Sequence, residues 1–303
     1  DAPAARPRRR RRRAPVIAAY LTLLPALGVV ALYVFYPFLS GLPKAFFNWD
    51  GGTVDDFIGI GNFVALLSDQ LFLESFRNIA VMLVFGVVAG IGASLFTAWL
   101  IHHVRSPRLR YLYRNLVMAP AVVPTVVLLL VWTQFLSADG AVNRILDALG
   151  LDWLEHQWLG EPGWVLVGIM LVGVPWINGI YTLMYCAALD DIPGEVYEAA
   201  RIDGAGGWRI FWNVEAPAVR GQTRMLVTLS VLTGLQSYES VMIMTKGGPF
   251  DSSDVPGLLV YKYAFTFSQF GYATAMAVVI LIATIVLYAV ISLIMRRRKD
   301  ADA

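Results

Sequence analysis

The first residues to invite a chemical reading are the polar ones in an otherwise apolar stretch, Met225 to Met244, which holds Thr228, Ser230, Thr233, Gln236, Ser237, Tyr238 and Glu239. Thr233, Gln236, Ser237 and Ser240 recur at i, i+3, i+4 and i+7, one face of a helix, with Tyr238 and Glu239 beside it. Hydroxyls, an amide and a carboxylate so placed can hold a solute rich in hydroxyl groups, while an aromatic ring stacks on its apolar face. Trp176 and Asn178, between Pro175 and Gly179, offer a second wall. The same groups can instead hydrogen-bond neighbouring helices or another subunit. A carboxylate inside a bilayer costs about 2.5–3.5 kcal/mol, so Glu239 is expected to face a partner, a wet path or, if shallow, an outer mouth.

Other chemistries lack their parts. No G-x-x-x-x-G-K-[ST] loop is present to cradle nucleotide phosphates, and neither a G-x-S-x-G elbow nor an H-E-x-x-H pair occurs. His102, His103 and His156 do not make a metal set, so no metal and no cofactor are expected on this chain. Cys186 is the only cysteine, which rules out an intrachain disulfide and leaves packing as its reading.

A second group lies at residues 190–220. Asp191 is expected to cap a short helix with Pro193 in its first turn, and Asp203-Gly204 to end it, since glycine takes the left-handed conformation that closes a helix. Ile192, Val196, Ala199 and Ala200 make one apolar stripe, and Trp208, Phe211 and Trp212 another on a second helix. Periodicity alone allows a hairpin lying on lipid head groups or on its own bundle.

The elements that position these groups follow from composition. The chain of 303 residues is 57% hydrophobic and 15% charged, with a mean hydropathy of +0.61, far from the roughly 25% charge of soluble domains. Its apolar residues gather into blocks long enough to cross about 30 Å of hydrocarbon as helices. The expected organisation is a basic tail over 1–15, a first span at 16–42, an outer loop at 43–77 and a five-helix core at 78–295. That core would hold spans near 78–101, 115–137, 164–189, 225–244 and 272–295, with a short tail at 296–303. The fold class is thus an all-α membrane protein of six transmembrane helices. Pro120, Pro124 and Pro175 are expected to bend or interrupt their spans.

Of the 24 lysines and arginines, 19 flank one side: Arg6, Arg8 to Arg13, the loops Arg105–Arg114 and Arg201–Arg224, and Arg296 to Lys299. Positive charge accumulates on cytoplasmic flanks, so both termini and the 190–220 loop are expected inside. The arginine run abuts a span and reads as an anchor on anionic membrane lipid, with no nucleic acid as partner. The first apolar block exceeds a signal-peptide core and is expected to remain as helix one.

Glu198-Ala199-Ala200, two residues, Asp203-Gly204-Ala205, five residues, Phe211 and then Pro217 resembles the EAA loop of binding-protein-dependent ABC importer permeases. Phe57-Ile58-Gly59-Ile60-Gly61-Asn62-Phe63 and Thr245-Lys246-Gly247-Gly248-Pro249 are similar to segments of the carbohydrate branch, the maltose and glycerol-3-phosphate importer class. Val214-Glu215-Ala216-Pro217 departs from the Ile-x-Leu-Pro common there. The resemblance implies an EAA coupling helix between the fourth and fifth spans that docks on a separate ABC ATPase dimer, which would hold ATP and Mg. Glu198, Ala199, Ala200, Asp203, Gly204, Ala205, Phe211 and Pro217 would form that docking segment. It further implies a second, distinct permease subunit, an external solute-binding protein and a bacterial or archaeal plasma membrane location. The chain would be no enzyme itself, and its solute a sugar, polyol or sugar-phosphate-like compound. The same helices also allow an ion-coupled secondary transporter with Glu239 as proton site, or a scaffold with no solute path.

Overall fold

The computed structural model describes residues 14–301, and side chains over 20–294. The basic tail with Arg6 and Arg8 to Arg13, residues 302–303 and the side chains of Arg296 to Lys299 lie outside the described residues. The first apolar block forms a continuous helical run: α1 (Ala14–Val30), a π-helical turn (Ala31–Phe35), α2 (Tyr36–Gly41) and a 3-10 turn (Leu42–Phe46). Every side chain from Tyr20 to Ser40 is exposed, leaving this arm for lipid or another chain to cover.

The all-helical expectation needs one correction. Residues 47–57 form an antiparallel hairpin, β1 (Phe47–Trp49) with β2 (Asp55–Phe57), pairing Phe47 with Phe57 and Trp49 with Asp55. The turn is built by Asp50, whose Oδ1 accepts from the N–H groups of Gly52 at 2.8 Å and Val54 at 3.1 Å, and by Gly51 at φ +86°. Asp50-Gly51-Gly52 is a hairpin signal that the surrounding apolar blocks overshadow. Behind it, α3 (Gly61–Ser68) carries Asn62, whose Nδ2 donates to the carbonyls of Ala45 and Phe47, both at 2.9 Å. That asparagine fastens the whole segment.

The helix α4 (Gln70–His102) is a single rod of 33 residues, about 50 Å long. It starts two turns ahead of Asn78, because Asp69 caps it by accepting from the Phe72 N–H at 3.1 Å. Next come α5 (Pro107–Met118), a 3-10 turn (Ala119–Val122) and α6 (Thr125–Phe135), which meet at 87° where Pro120 and Pro124 deny the helix its donors. The outer elements are α7 (Ala141–Ala148) and a 3-10 turn (Asp152–Leu154). Asn143 on α7 is buried, donating to the carbonyls of Ala138 and His156 and accepting from Trp158 Nε1 at 2.7 Å.

The stretch expected as span four is α8 (Val165–Leu171) and α9 (Gly179–Asp190), with an irregular connection around Pro175. Then follow α10 (Gly194–Ile202), α11 (Gly207–Ile210), a π-helical turn (Phe211–Glu215) and α12 (Ala216–Ala218). The expected fifth span is α13 (Arg220–Gly234) and α14 (Glu239–Met244), and the chain ends through α15 (Pro256–Tyr261), a π-helical turn (Lys262–Thr266) and α16 (Phe270–Ala301). Among the described residues, three helical runs are each long and apolar enough to cross a membrane: Tyr20–Phe46, Gln70–His102 and Phe270–Ile294. The bent pair α5–α6 makes four if it counts as one span.

Around the α4 rod the core forms in consecutive clusters. Ile91, Ala98 and Ile101 meet Tyr185, Cys186 and Leu189 of α9 and Val219 and Leu226 near α13. Toward the other end, Ile79 packs on Val165, Ile169, Leu235, Val241 and Leu258. The loop after α14 is pinned to that end by Asn78, whose Nδ2 donates to the carbonyls of Ser252 at 3.0 Å and Asp254 at 2.9 Å. The Asp254 carboxylate is fully buried and takes both its charge-assisted bonds from Lys262 Nζ, at 2.9 and 2.8 Å.

Breaking that pair from the lysine side strands a carboxylate in a closed pocket, which costs about 3–5 kcal/mol. Lys262→Met is therefore expected to lower the unfolding temperature of the detergent-solubilised protein markedly. Lys246→Met, removing an exposed lysine of the same loop, should shift stability by no more than about 0.5 kcal/mol.

Candidate functional site

Helix breaks are where a membrane protein can turn peptide groups and side chains toward a cavity. Two such breaks face α4. In the first, residues 172–178, Gly173 takes φ +80° and Trp176 takes φ +59°, a left-handed conformation that costs a bulky residue about 1–3 kcal/mol. Trp176 is held there by its N–H on the Gly173 carbonyl at 2.6 Å, by its indole Nε1 on the Met170 carbonyl at 2.8 Å, and by Phe85 edge-on at 5.2 Å. Asn178 caps α9, its Oδ1 accepting from the Tyr181 N–H at 3.1 Å, while its own N–H donates to Ser94 Oγ at 3.1 Å. Gly179 lets this first turn lie against the end of α5, since a Cβ there would meet the Val117 carbonyl oxygen and come within 3.1 Å of the Met118 Cα.

The second break, between α13 and α14, contains no proline. The Gln236 and Ser237 N–H groups turn back to the Thr233 and Gly234 carbonyls, and Gly257 of α15 approaches so closely that a Cβ there would lie 3.2 Å from the Tyr238 Cβ. A distant element thus packs directly against the break.

Between the breaks and α4 opens a cavity of about 410 Å³. Trp176, Asn178, Thr233 and Ser237 line it, as do Tyr181 and Ser230, and Gly86 and Gly90 of α4 leave its floor flat. Ser230 donates to the Tyr181 hydroxyl at 3.0 Å. Tyr181 was missed from the sequence, and Ser230, counted among the polar residues of its stretch, was left off the stripe although it extends the Thr233 and Ser237 face by one more turn. Of the other candidates, Gln236 is exposed and its Nε2 donates to the Leu232 carbonyl at 3.2 Å, while Tyr238 packs on the Val241 cluster. Glu239 is exposed at the start of α14, and none of these three lines the cavity. The lining offers hydroxyls, an amide and an indole, and no charged side chain. It can hydrogen-bond and stack; it has no group to neutralise a charge or carry a proton.

A larger cavity of about 680 Å³ lies behind the first break, lined by apolar residues such as Leu116, Val117, Leu128 and Pro175, with little to orient a polar solute. Asp147, Asp152 and Glu155 cluster exposed on the α7 side and line neither cavity.

The segment after α9 takes a different shape from the expected one at its start. Asp191 ends α9, its N–H on the Ala187 carbonyl at 3.1 Å, and does not cap α10. Pro193 disfavours helical geometry at the residue before it, so α10 begins only at Gly194. At its far end Gly204 takes φ +74°, and the Ala205 N–H returns to the Ala200 carbonyl at 2.9 Å. Glu198, Ala199, Asp203 and Gly204 are exposed, Ala200 and Ala205 half-buried. Among the described residues nothing but its own neighbours lies within 4 Å of where a Gly204 Cβ would point. Ile202 is 86% exposed on the same short helix, an apolar side chain that the described residues leave uncovered. Phe211 is half-buried, its ring edge-on to Trp99 at 5.8 Å, and Pro217 is half-buried in α12.

Residues 86–300 match the family described as binding-protein-dependent transport system inner membrane component. The chain is 32% identical to the diacetylchitobiose uptake system permease protein of Streptomyces coelicolor, over 96% of this chain and 86% of that one. It is 28% identical to the multiple sugar-binding transport system permease protein of Streptococcus mutans, over 86% and 89% of the two chains. A chain in the crystal structure of a bacterial ABC transporter involved in the import of the acidic polysaccharide alginate shares the fold, with a TM-score of 0.82 at 22% identity over 94% and 97% of the two chains. The matched region spans well over half of the sequence, and the protein belongs to the binding-protein-dependent transport system inner membrane component family.

Proposed function

We propose that this chain is a permease subunit of an ATP-driven carbohydrate importer, and that the cavity between α4 and the two helix breaks is its share of the solute path. The observation that carries the reading is that cavity: hydroxyls, an amide and an indole, no lining charge, set at interrupted helices. Relatives whose names specify diacetylchitobiose or multiple sugars support the class. An uncharged mono- or oligosaccharide fits the lining better than a sugar phosphate, whose dianion would have no cation there.

In this reading the chain crosses the membrane six times, the third, fourth and fifth crossings being the broken ones, with both termini and the 190–220 loop cytoplasmic. Helices α10 to α12 dock on a separate ATPase dimer, which holds ATP and Mg. Glu198, Ala199, Asp203 and Gly204 form the exposed contact, with Ile202 entering an apolar cleft of the partner. A second, distinct permease closes the path from the other side, and an external binding protein delivers the solute. The chain makes and breaks no covalent bond. Glu239 stands outside the cavity lining, so proton-coupled transport has no site to run through here.

Among the described residues nothing fills the space beside Gly204, but any side chain there carries the strain of φ +74°, so a bulky residue is compared with one that tolerates that conformation. Gly204→Trp in the assembled complex is expected to cut ATP-dependent uptake at least tenfold, with Gly204→Asn, which tolerates the left-handed conformation, much milder. Uptake unchanged by the tryptophan would sink the docking reading. For the path, Trp176→Ala should lower uptake tenfold or more. A neutral oligosaccharide should compete with the solute that co-purifies with the binding protein, while a phosphorylated sugar should not; the reverse pattern would overturn the solute class.

A further inference from the structure

Glu215, in the segment where the chain departs from the loop pattern, is fully buried at the end of the π-helical turn. A carboxylate so placed survives only if its oxygens are satisfied. Trp99 Nε1 donates to one oxygen at 2.9 Å and the Tyr197 hydroxyl to the other at 3.2 Å, with His103 Nε2 at 3.4 Å from that second oxygen. The cluster continues: the Tyr197 hydroxyl lies 3.3 Å from His102 Nε2, His102 Nδ1 lies 3.0 Å from Asp190, and Arg114 donates to the other Asp190 oxygen at 2.7 Å. One polar chain thus joins α4, α5, α9, α10 and the turn at 211–215.

Tyr197 sits on the inner side of α10, the helix whose outer side carries Glu198 and Ile202. Trp99, His102 and His103 sit at the end of α4, the one helix lining the cavity that has no break among the described residues. From Trp99 to Gly90 and Gly86 along that rod is about 13 and 20 Å. A displacement of α10, held to α4 through a buried carboxylate, is thereby passed along an unbroken rod to the cavity floor, beside the routes through α9 and α13, whose interruptions lie only at the cavity itself.

We propose that Glu215 is a positioning residue that locks α10 to α4, so that the docking helix and the cavity floor move as one body. The proposal rests on the reading of 190–220 as the ATPase-docking loop. Hydrogen-bond donors from two elements converge on one acceptor, so removing the acceptor uncouples them without touching the exposed docking face.

The test uses the assembled complex with its ATPase and second permease, in lipid, with the external binding protein as it purifies. The readout is the stimulation of ATP hydrolysis by that binding protein, since coupling between two sites runs in both directions. The unchanged complex should be stimulated at least fivefold. Glu215→Leu should hold the ATPase and hydrolyse ATP, with stimulation falling below twofold; Glu215→Gln, which still accepts from Trp99, should keep more than half of it. Tyr197→Phe should also lower stimulation, and combined with Glu215→Leu should add nothing. A merely structural role predicts that yield, basal and stimulated hydrolysis fall together at an unchanged ratio, which would overturn the proposal. If Glu215→Leu does not assemble, Tyr197→Phe decides alone, an unchanged ratio counting against it. Ile202→Cys cross-linking to the ATPase reports on the docking reading separately. No cross-link, or no stimulation of the unchanged complex, overturns that reading; a cross-link with undiminished stimulation in the variants overturns only the role of Glu215.

Discussion

Inside hydrocarbon every peptide group needs a partner, and this constraint orders the rest of the molecule. A helix satisfies it alone, so α4 and α16 run unbroken. A broken helix does not, and each interruption here is closed by something else. At 172–178 the Trp176 indole and the Ser94 hydroxyl supply hydrogen bonds to freed backbone, while at 235–238 short backward turns do so under the packing of Gly257. The breaks sit against protein and cavity, where such groups can be tolerated, and the polar side chains that line the cavity gather at the same places.

In the connecting segments the same accounting is done by single buried side chains. Asn62 holds the hairpin segment, Asn78 the loop after α14, Asn143 the α7 unit and Glu215 the 190–220 loop, each bonding to at least two groups remote from it in sequence. All four are largely or wholly buried. A few directional bonds add to the apolar packing of these segments.

Much of this was legible in the residue order. The apolar blocks announced helices, Pro120, Pro124 and Pro175 lie in or beside interruptions, and Asp203-Gly204 ends α10, because each is a local property of a few adjacent residues. Thr233 lines the cavity from the last turn of α13 and Ser237 from within the interruption, while Gln236 and Tyr238 in the same interruption, and Glu239 at the start of α14, do not line it, because past Gly234 the helical period no longer fixes which way a residue turns. The interruption at 235–238 has no proline to mark it; Gly257, some twenty residues further on, packs closely against it. The hairpin at 47–57 went unread because its Asp-Gly-Gly turn was set against longer apolar runs, and Asp191 was misassigned as a cap because the effect of Pro193 on its own predecessor outweighs capping preference.

What the sequence determined by itself was therefore everything carried by local chemistry or by ordered spacing: a helical membrane chain, its basic residues gathered into a few segments, and the ordered spacing from Glu198 to Pro217. Only the tertiary structure decided which polar groups share a cavity, which serve as caps, and that a glutamate read merely as a departure from a pattern is buried between Trp99 and Tyr197. The reason is that hydrogen-bond partners of a buried group are chosen by proximity in space, and residues 99, 197 and 215 are brought together by the packing of α4 against α9 and α13.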